Sequence, residues 1–594
     1  MGNLEVAKLL HSVSAALTLS GANRFRVIAY DKAADAIEHA SSEVKDLWDD
    51  GKLKGLSGIG EGIASSFDEL FSTGRVKHFE EILAPFPEAL FELMEIPGIG
   101  PKNALKFCKA FGITKAHTAV SKLEKAAKKG EIAKLEGFGE DSQTRILQGI
   151  TELSGRSKRI LLDQAHTIVD SLISYMKKNP HVKKIDYLGS LRRQASTVGD
   201  LDFSVATDHP KEVIDHFCKY PNKSRVLEAG EKSASLILPG DHQADLMVQP
   251  PEAYGSLLQH FTGSKHHNIA LRELALKKGY SLSEHGIRPI PSHPEQSEGS
   301  SKPYDDPNLI RISTEEKFYE FLGLDWIPPE LREGRGEIEA ARSHTLPKLL
   351  ELSDIKGDLQ LHSNFPIEPS HDLGRNSPEE IASVAKSLGY EYIGLTDHNP
   401  AIAGHTENQI VDLVKKRSES IRSTKADVHI FVGLEIDIQP DGKLALPEAA
   451  FDYLDYACVS IHSSFRQTRD QATSRVLRAL EHPKVRFLAH PTGRLLGERE
   501  GVELDWDQIF DFCLKNDKWL EIDGWPNRLD LPDVIAHDAI KRGIKLVVDT
   551  DSHAADQLPF MKYGVSVARR AWATPNDIIN TMSLSQIKSL ILSS

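Results

Sequence analysis

Long apolar runs and clustered cysteines are both missing from this 594-residue chain. No uninterrupted apolar stretch is long enough to cross a bilayer, and the first residues lack the charged-then-apolar pattern of a secretory signal. The four cysteines are widely scattered, which argues against a disulfide framework and against a paired-cysteine zinc motif. We therefore expect a cytoplasmic protein that has no membrane partner.

An excess of positive charge is also missing, since 86 acidic residues outnumber 72 lysines and arginines and the net charge is −14. This balance argues mildly against a nucleic-acid partner, although DNA responds to local fields rather than to net charge. Between residues 97 and 135 there are nine lysines and two glutamates. That excess is either a local basic surface of the kind that phosphates require or a solvated helix face. The length and the 40% hydrophobic content predict several ordinary globular domains.

A Gly-Ser turn and an Asp-x-Asp pair form the first candidate catalytic centre. An apolar run predicts a strand that breaks at Gly189-Ser190, and a second strand is predicted over 200–205. Because side chains alternate between the two faces of a strand, Asp200 and Asp202 should project to the same side. Two adjacent carboxylates repel each other unless a cation lies between them, and Mg²⁺ takes oxygen ligands of this kind.

A third carboxylate extends this set. Asp245 follows an apolar run at 235–239, which indicates a neighbouring strand of the same sheet. Three aspartates suffice to hold two metal ions roughly 3.5–4 Å apart, the arrangement that clamps the attacking and leaving oxygens in phosphoryl transfer. Backbone N–H groups at the glycine turn would cradle phosphate oxygens, and Arg192 or Arg193 would neutralise them. Each signal alone is common in ordinary loops, but their combination and order favour a catalytic site.

In this order, the residues resemble the nucleotidyltransferase palm of the family X DNA polymerases. The segment 259–268 resembles that family's Tyr-Phe-x-Gly-Ser element, which opens the fingers, with His260 in place of the tyrosine. The resemblance implies Mg²⁺ or Mn²⁺ at three catalytic carboxylates: Asp200, Asp202 and Asp245. It also implies that six residues bind the nucleotide: Gly189, Ser190, Arg193, Phe261, Gly263 and Asn268. Arg272 is expected near the template.

Three turns in the first 150 residues share the pattern hydrophobic-x-Gly-hydrophobic-Gly: Leu56–Gly60, Ile96–Gly100 and Leu135–Gly139. Each precedes a helix-like stretch, so its amides are exposed at a helix N-terminus, where a DNA phosphate docks without sequence readout. The pattern resembles the helix-hairpin-helix motif. The resemblance implies DNA contacts from seven residues: Gly58, Gly60, Gly98, Gly100, Lys102, Gly137 and Gly139. In the family, a lysine after the first hairpin forms a Schiff base with an abasic sugar. Ser66 stands at that position and cannot supply the amine, so we expect little lyase activity.

From residue 356 onward, the pattern changes to strand-then-helix alternation. Helices are predicted at 378–388, 408–423 and 473–481. Seven apolar strands are predicted, at 358–361, 392–395, 430–436, 457–461, 486–489, 520–522 and 545–548. Such alternation predicts a parallel sheet closed into a barrel, with its site at the C-terminal ends of the strands.

Six strand ends carry His, Glu or Asp, and so many successive ones indicate a metal cluster rather than ordinary core histidines. The set resembles the polymerase-and-histidinol-phosphatase (PHP) domain, a distorted barrel of seven strands. The resemblance implies two or three Mn²⁺ or Zn²⁺ ions at nine residues: Gln360, His362, Asp372, His398, Glu435, His462, His490, Asp551 and His553. Gln360 stands where the family has histidine, so one ligand is a neutral amide, which suits hard ions better than zinc. Asn364–Arg375 looks like an insertion, in which Asp372 is the match to the family's aspartate.

Together, the patterns predict a multidomain protein. An all-α helix-hairpin-helix domain is expected at 1–155, an α+β nucleotidyltransferase core with palm and fingers at 156–340, and a distorted (β/α)7 PHP barrel at 341–594. The resemblance implies template-directed DNA synthesis in short-gap repair, together with metal-dependent 3′–5′ exonuclease or 3′-end processing activity. The expected partners are gapped or nicked duplex DNA and deoxynucleoside triphosphates, bound by a monomer at the bacterial nucleoid.

Two alternatives stay open at this point. In one, the barrel is a phosphoesterase or nuclease and the front half is a non-catalytic DNA-binding module. In the other, the palm adds nucleotides without a template, or adds them to RNA. The presence of all three palm aspartates speaks against the first alternative.

Overall fold

The computed structural model describes residues 3–38, 44, 48, 61–96, 98–156, 159–240, 242–290, 307–496, 499 and 501–592. The chain divides into two compact units, Met1–Lys158 and Arg159–Ser594. The predicted boundary between residues 340 and 341 lies inside the second unit and stays a prediction. Among the described helices, none is both long enough and apolar enough to span a bilayer.

The described part of the first unit is helical and encloses two apolar cores. One core lies among the first four helices and includes Phe67 and Phe79. The other lies among the last four and includes Leu93 and Phe107. The helices are α1 (Asn3–Leu19), α2 (Arg24–Glu38), α3 (Glu61–Thr73), α4 (Lys77–Leu83), α5 (Glu88–Met94), α6 (Pro101–Phe111), α7 (Ala119–Lys128) and α8 (Glu140–Arg156). The expected all-α character of this region is confirmed for the described residues.

The second unit begins with a mixed five-stranded sheet. Its elements in chain order are β1 (Ile160–Leu161), α9 (Leu162–Met176), β2 (Lys184–Tyr187), α10 (Gly189–Arg192), β3 (Thr197–Val198), β4 (Leu201–Ala206), α11 (Pro210–Phe217), β5 (Arg225–Ala229), β6 (Ser233–Leu238) and β7 (His242–Gln249). The strand order is β2-β4-β7-β6-β5, while β1 and β3 form a separate pair. Only β4 and β7 pair in parallel, and the other neighbours are antiparallel.

The structure refines the predicted strands of this sheet. The basic stretch after Gly189 is a single helical turn, α10, and Asp200 precedes β4 instead of opening it. The apolar run at 235–239 forms most of β6, but Asp245 lies on the next strand, β7. The chain reverses between these strands at Gly240, whose φ of +84° favours glycine.

Helices and a small hairpin complete the polymerase-like half. They are α12 (Tyr254–Thr262), α13 (Lys265–Lys277), β8 (Tyr280–Ser283), β9 (Gly286–Pro289), α14 (Glu315–Phe321) and α15 (Glu337–Arg342). Helix α12 covers β4 through Tyr254 and Leu257, and α13 and α14 share a second core around Leu271 and Phe318. The polar, proline-rich sequence of residues 288–308 predicts a flexible loop, of which residues 291–306 lie outside the described residues.

The last part of the chain alternates strands and helices as predicted. Its elements are β10 (Gly357–Leu361), α16 (Pro378–Ser387), β11 (Tyr392–Leu395), α17 (Glu407–Ser423), β12 (His429–Val432), β13 (Glu435–Asp437), β14 (Ala457–Ser460), α18 (Arg469–Leu480), β15 (Val485–Leu488), α19 (Trp506–Asn516), β16 (Trp519–Asp523), α20 (Asp533–Lys541), β17 (Leu546–Asp549), α21 (Met561–Arg570) and α22 (Leu584–Leu592). All strand pairs here are parallel, and they form the sheets β10-β11-β12 and β13-β14-β15-β16-β17.

Isolated bridges join these two sheets at both seams. Leu361 pairs with Ser552 at one seam, and His398 pairs with Glu435 at the other. The described strands therefore follow the order expected of the PHP fold, although they form two sheets rather than one continuous ring of ladders.

One predicted strand, 430–436, is broken into β12 and β13. The buried side chain of Arg417 on α17 lies at the break. Its Nη1 donates to the Gly433 carbonyl at 2.7 Å and its Nη2 to the Leu395 carbonyl at 2.9 Å, while Nε donates to Asp397 at 2.6 Å. The Leu395 carbonyl also accepts a hydrogen bond from the Gly433 N–H at 2.9 Å, so it has two donors. The break lets β13 start in the second sheet, with Glu435 as its first residue.

Two candidate active sites and a DNA-binding surface

Three aspartates come together beside the pairing of β4 with β7. Asp202 and Asp245 are directly opposite each other in that parallel register, so their side chains share one face of the sheet. Gln243 donates to both oxygens of Asp245 at 3.1 and 3.0 Å. Burial, followed by the charges of Asp245 and Asp200, raises the pKa of Asp202 to about 7. A divalent cation would remove this electrostatic cost, so the three residues fit a metal site.

The Gly-Ser turn packs directly on this carboxylate group. Gly189 has φ of +59°, and a Cβ at this position would lie 3.0 Å from Asp202 Oδ2. The Leu188 N–H donates to the Asp202 carbonyl at 2.8 Å, which holds the start of the turn against β4. Ser190 follows in α10, half-buried. The turn and the aspartates therefore form one site, and only glycine has room at its contact point.

The two arginines after the turn are held by different carboxylates. Arg192 donates from Nη1 and Nη2 to the two oxygens of Glu315, at 2.8 and 2.7 Å. Arg332 adds a third bond to Glu315 at 2.6 Å. Burial alone would raise the pKa of Glu315, but Arg332 and Arg192 outweigh it and lower that pKa to about 2. Arg192 therefore belongs to an internal ion cluster that ties α10 to α14.

Arg193 lies next to another residue of the predicted nucleotide site. Its Nε donates to Glu333 at 2.9 Å and its Nη1 to the Thr262 carbonyl at 2.6 Å. A Cβ on Gly263 would lie 3.2 Å from Arg193 Nη1, so the two residues are immediate neighbours. The structure thus brings the turn and the segment after α12 together, although they are far apart in the sequence.

The remaining predicted nucleotide and template residues lie on α12 and α13. Gln259 Nε2 donates to Asn268 Oδ1 at 2.8 Å, and Asn268 Nδ2 donates to the His260 carbonyl at 2.7 Å. The ring of Phe261 is half-buried and meets the His260 ring edge-on, with centroids 4.8 Å apart. Arg272 is exposed on α13. Asn268 is thereby fixed in orientation, whereas Arg272 is accessible to a ligand.

Two of the predicted DNA-binding turns are open on their outer side. Gly98 and Gly137 have φ of +84° and +82°, and added Cβ atoms there or at Gly100 and Gly139 would meet no described atom within 4 Å. Helices α6 and α8 begin directly after these turns, and Lys102 is exposed in the first turn of α6. Backbone N–H groups at such helix starts can approach a phosphate closely.

The first predicted turn, with Gly58 and Gly60, lies outside the described residues. Ser66, which follows it, lies on α3, where its hydroxyl donates to the Gly62 carbonyl at 3.0 Å. This contact is local to the helix. The expectation of little lyase activity stays a prediction.

Glu435 lies at the centre of the second site, where four imidazoles surround its buried carboxylate. His398 Nδ1 and His362 Nε2 lie 3.1 and 3.4 Å from Oε2. His490 Nε2 and His462 Nε2 lie 3.0 and 3.5 Å from Oε1. Burial alone would raise the pKa of Glu435, but the histidines outweigh it and hold that pKa well below its usual range. Each imidazole comes from a different strand end, as the sequence predicts.

Gln360 belongs to the same cluster. His362 Nε2 lies 2.9 Å from Asp551 Oδ1, and Gln360 Nε2 lies 3.5 Å from that oxygen. Gln360 Oε1 is buried and has no hydrogen-bond partner among the described residues. A buried carbonyl oxygen without a donor is costly unless a cation or water satisfies it. The amide is therefore in position to act as a neutral ligand.

Asp372 lies at the open side of the cluster. Its Oδ1 is 3.6 Å from His398 Nε2 and its Oδ2 is 3.6 Å from His553 Nε2. The neighbouring His398 ring is the main cause that lowers the pKa of Asp372. The insertion thus returns to the strand ends and brings Asp372 to the remaining imidazoles.

The clustered ligand atoms fit divalent ions. Four overlapping groups have candidate ligand atoms within 4.8 Å of one another: His362, His398 and His553; His371, Asp437 and His462; His398, Glu435 and His462; and His362, Glu435 and Asp551. Imidazole and carboxylate are ligands for Mn²⁺ and Zn²⁺. The backbone is left-handed at two site residues, His490 (φ +28°) and Asp551 (φ +48°). Such strain concentrates at functional sites.

Sequence reasoning missed His371 and Asp437. Asp437 Oδ1 lies 3.0 Å from His371 Nε2 and 2.7 Å from His462 Nδ1. The signal for Asp437 was present, since it lies two residues after Glu435 and therefore on the same face of β13. His371 gave no usable signal, because it lies in the insertion beyond any predicted strand.

Arg528 was missed as well. It lines a cleft of about 520 Å³ over the metal-ligand cluster, together with Arg375 and Trp525. Its Nε lies 4.0 Å from Asp551 Oδ2, and its Nη1 is buried with no hydrogen-bond partner among the described residues. An arginine beside a metal cluster is suited to a phosphate oxygen.

Four family models match the chain. They are a helix-hairpin-helix domain at residues 1–76, a SAM-like helix-hairpin-helix tandem at 90–152, a DNA polymerase beta thumb at 257–333 and a PHP domain at 358–522. The fold and the two sites define a nucleotidyltransferase joined to a PHP metal-binding domain.

Curated relatives are similar to the whole chain or to parts of it. A protein of Bacillus subtilis (strain 168) named DNA polymerase/3′-5′ exonuclease PolX is 33% identical over 595 residues, covering 100% of this chain and 99% of the relative. DNA polymerase lambda of Arabidopsis thaliana is 26% identical over 335 residues, which is 52% of this chain and 58% of the relative. A probable phosphatase of Thermoanaerobacter sp. (strain X514) is 24% identical over 212 residues, which is 34% of this chain and 82% of the relative. The chain belongs to the bacterial family X DNA polymerases that carry a C-terminal PHP domain.

Proposed function

We propose that this protein is a template-directed DNA polymerase with a metal-dependent 3′–5′ exonuclease in its PHP domain. The observation that carries the proposal is the pairing of Asp202 with Asp245 beside Gly189, in one chain with the histidine cluster around Glu435. The full-length similarity to a relative whose name combines both activities supports it. Short-gap repair is the natural use of such a combination.

In the polymerase centre, the three aspartates provide the metal-binding carboxylates. Asp200, Asp202 and Asp245 would hold Mg²⁺ or Mn²⁺, because hard cations prefer carboxylate oxygens. Such ions, when bound there, would supply charge neutralisation at the attacking 3′-hydroxyl and at the leaving pyrophosphate. The amides of Gly189 and Ser190 face the triphosphate of the incoming deoxynucleotide.

The neighbouring segment positions the rest of the nucleotide. Gly263 and Phe261 contact the sugar, and Arg193, which adjoins Gly263, contributes charge near the phosphates. Asn268 is held by α12 and faces the base, while the exposed Arg272 reaches the template. These roles account for why the structure brings the two segments together.

The helix-hairpin-helix turns hold the DNA through its backbone. Gly98, Gly100 and Lys102 form one phosphate contact, and Gly137 and Gly139 form another, with Gly58 and Gly60 as a third. Such contacts suit gapped or nicked duplex DNA, because they require no base sequence. We expect a monomer that acts at the bacterial nucleoid, where its substrate lies.

In the PHP domain, two or three Mn²⁺ or Zn²⁺ ions would supply an activated water for phosphodiester hydrolysis. Glu435 belongs to two of the four candidate ligand groups. Asp437 accepts the His462 Nδ1–H, which directs His462 Nε2 toward the cluster. Arg528, which lines the cleft, holds the scissile phosphate. Its Nη1 has no hydrogen-bond partner among the described residues. His371 lies at the rim of the cleft, held by Asp437.

Two variants on one labelled substrate test both activities. Primer extension on a gapped duplex and Mn²⁺-dependent 3′-end degradation are measured for the wild type, Asp245→Ala and His398→Ala. Losing one palm carboxylate should lower extension by at least about 100-fold while degradation and DNA binding persist. His398→Ala should lose 3′-end degradation while extension persists. Omission of the template strand should stop extension.

Several results would contradict the proposal. Near wild-type extension by Asp245→Ala would remove the third carboxylate from the site. Equal degradation by the wild type and His398→Ala would remove the nuclease from the barrel. Extension that persists without a template would replace template-directed synthesis by terminal transfer.

A further inference from the structure

Helix α21 belongs to the PHP half of the second unit, the part predicted at residues 341–594. It reaches the polymerase half, the part of the same compact unit that ends at residue 340. Its middle packs on the strand ends of the PHP sheet, since a Cβ on Gly564 would lie 3.3 Å from the Gly524 Cα, just beyond β16. Its last residue, Arg570, is 8% exposed and points away from that sheet to residues of the polymerase half. One rigid helix thus touches both catalytic halves.

Arg570 contacts the backbone of the nucleotide turn. Its Nη1 donates to the Arg193 carbonyl at 2.7 Å and to Glu333 Oε1 at 2.8 Å. Arg193 donates from Nε to the same Glu333 oxygen at 2.9 Å. Arg570 Nη2 lies 3.0 Å from Asp533 on α20, which fixes the Arg570 guanidinium from the PHP side.

The charges in this network are mutually satisfied. Burial alone would raise the pKa of Glu333, but Arg570 and Arg193 outweigh it and lower that pKa. Buried charge networks of this kind tolerate little displacement, because removing one partner leaves another charge uncompensated. The position of Arg193 is therefore tied to the position of α21.

A second contact from α21 supports the same turn independently. The Tyr563 ring lies 6.1 Å from the His166 ring, and His166 Nε2 lies 3.1 Å from Gln194 Oε1. Gln194 ends the turn with φ of +55° and donates from Nε2 to the Leu191 carbonyl at 3.0 Å. A left-handed glutamine needs such support, because that backbone region is unfavourable for residues other than glycine.

We propose that α21 of the PHP domain is a positioning element for DNA synthesis, with Arg570 holding the turn from Gly189 to Gln194 against Asp202. Arg570 touches no reacting atom and acts through Arg193, so it is a positioning residue. The inference rests on the proposed polymerase function and adds that nucleotide binding depends on a residue of the other catalytic domain.

The test is steady-state extension by the full-length Arg570→Met protein. The KM for the incoming deoxynucleotide should rise about tenfold or more, because a displaced binding turn loses productive geometry. Degradation of a 3′ end should stay at the wild-type rate, since Arg570 lies outside the metal cluster. Arg570→Lys keeps the positive charge but not the two-pronged guanidinium. Its KM for the deoxynucleotide should therefore lie between the values of the wild type and Arg570→Met.

Arg569→Met is the matched control. Arg569 is the preceding residue of the same helix and also joins the polymerase half, through Glu330 at 2.8 Å. It donates as well to the Leu350 carbonyl of the PHP half at 2.9 Å. Its loss should loosen the same interface without moving the nucleotide turn, because Arg569 makes no contact with the described residues of that turn. The KM should therefore stay within about twofold of wild type.

The outcomes separate this inference from the function on which it rests. An unchanged KM in Arg570→Met, or equal KM changes in Arg570→Met and Arg569→Met, would overturn it. If Arg570→Met loses nuclease activity as well, the KM of the Arg570→Lys protein becomes the test. A wild-type KM in Arg570→Lys would overturn the inference. No extension by the wild type would instead overturn the polymerase function, and this inference with it.

Discussion

At the scale of single residues, Gly189 packs closely against Asp202 in the polymerase site. Its φ of +59° and the 3.0 Å between an added Cβ and Asp202 Oδ2 predict that Gly189→Ala displaces either the turn or the carboxylate. The left-handed backbone alone costs about 1–2 kcal/mol with alanine. We expect extension to fall at least about tenfold, which is 1.4 kcal/mol in the barrier, while DNA binding stays unchanged.

Gly230→Ala provides the control in the same sheet. An added Cβ there would have its nearest contact at 3.5 Å, which is ordinary van der Waals distance, and the backbone is not left-handed. It should extend primers at the wild-type rate. If Gly189→Ala behaves in the same way, the close packing of the turn on Asp202 has no catalytic consequence.

Gln360 offers the corresponding test in the barrel. Its buried Oε1 has no partner among the described residues, and its Nε2 lies 3.5 Å from Asp551. Histidine at this position would add an imidazole ligand where the amide is a weak one, so Gln360→His should raise affinity for Zn²⁺ more than for Mn²⁺. Metal content after dialysis against each ion measures this directly.

The His398→Ala change in the Gln360→His background shows whether the added ligand acts at the same cluster. That double variant should lose the gained affinity, because His398 lies 3.1 Å from the shared carboxylate of Glu435. Unchanged zinc content in Gln360→His would place the amide outside the metal coordination.

At the scale of elements, the ion cluster of Glu315 with Arg192 and Arg332 clamps α10 to α14. The pKa of Glu315 is lowered to about 2 from an ordinary value of 4.5. The clamp therefore contributes its full stability above pH 4.5, and that stability is lost as the pH falls toward 2. The shift corresponds to about 3 kcal/mol.

Glu315→Gln should remove this acid dependence and, at neutral pH, cost about 3–5 kcal/mol by leaving two arginines without their carboxylate. Urea unfolding at pH 7 and pH 4 measures both effects. The neighbouring Glu316→Gln is the control, because Glu316 is exposed on the same helix. Equal unfolding midpoints for the two variants at pH 7 would show that the clamp carries no stability.

At the scale of the whole molecule, a chain with a net charge of −14 must bind DNA through local surfaces. Contacts to six to ten phosphates would weaken binding of a gapped duplex by about 10³–10⁵ between 50 and 200 mM salt. Lys102→Gln should reduce the salt slope by about 0.9, the value of one phosphate contact. Fluorescence anisotropy across a salt series measures this.

Lys128→Gln is the matched control, because Lys128 pairs with Glu124 at 2.6 Å in the same basic region. It should change the slope less than Lys102→Gln does. Equal slopes in the two variants would mean that the open glycine turn before α6 does not hold a phosphate.

The positions of many candidate site residues were determined by the sequence alone. The palm aspartates, the glycine turns and the strand-end histidines each follow a short apolar segment, so their spacing is a local property that can be read along the chain. The alternation after residue 356 predicted the strands and the end of the sheet at which His398, His462 and His490 meet. These predictions succeeded because parallel strands bring their C-terminal ends to one edge.

Only the tertiary structure decided which distant residues meet. Arg192 and Arg193 are adjacent and alike in sequence, yet one binds Glu315 and the other Glu333. The contact between Arg570 and Arg193 spans 377 residues. Periodicity reports which face of an element is buried, but not which charged group lies across from it. Those pairings depend on how whole elements pack, and that information is spread over the chain rather than held in any motif.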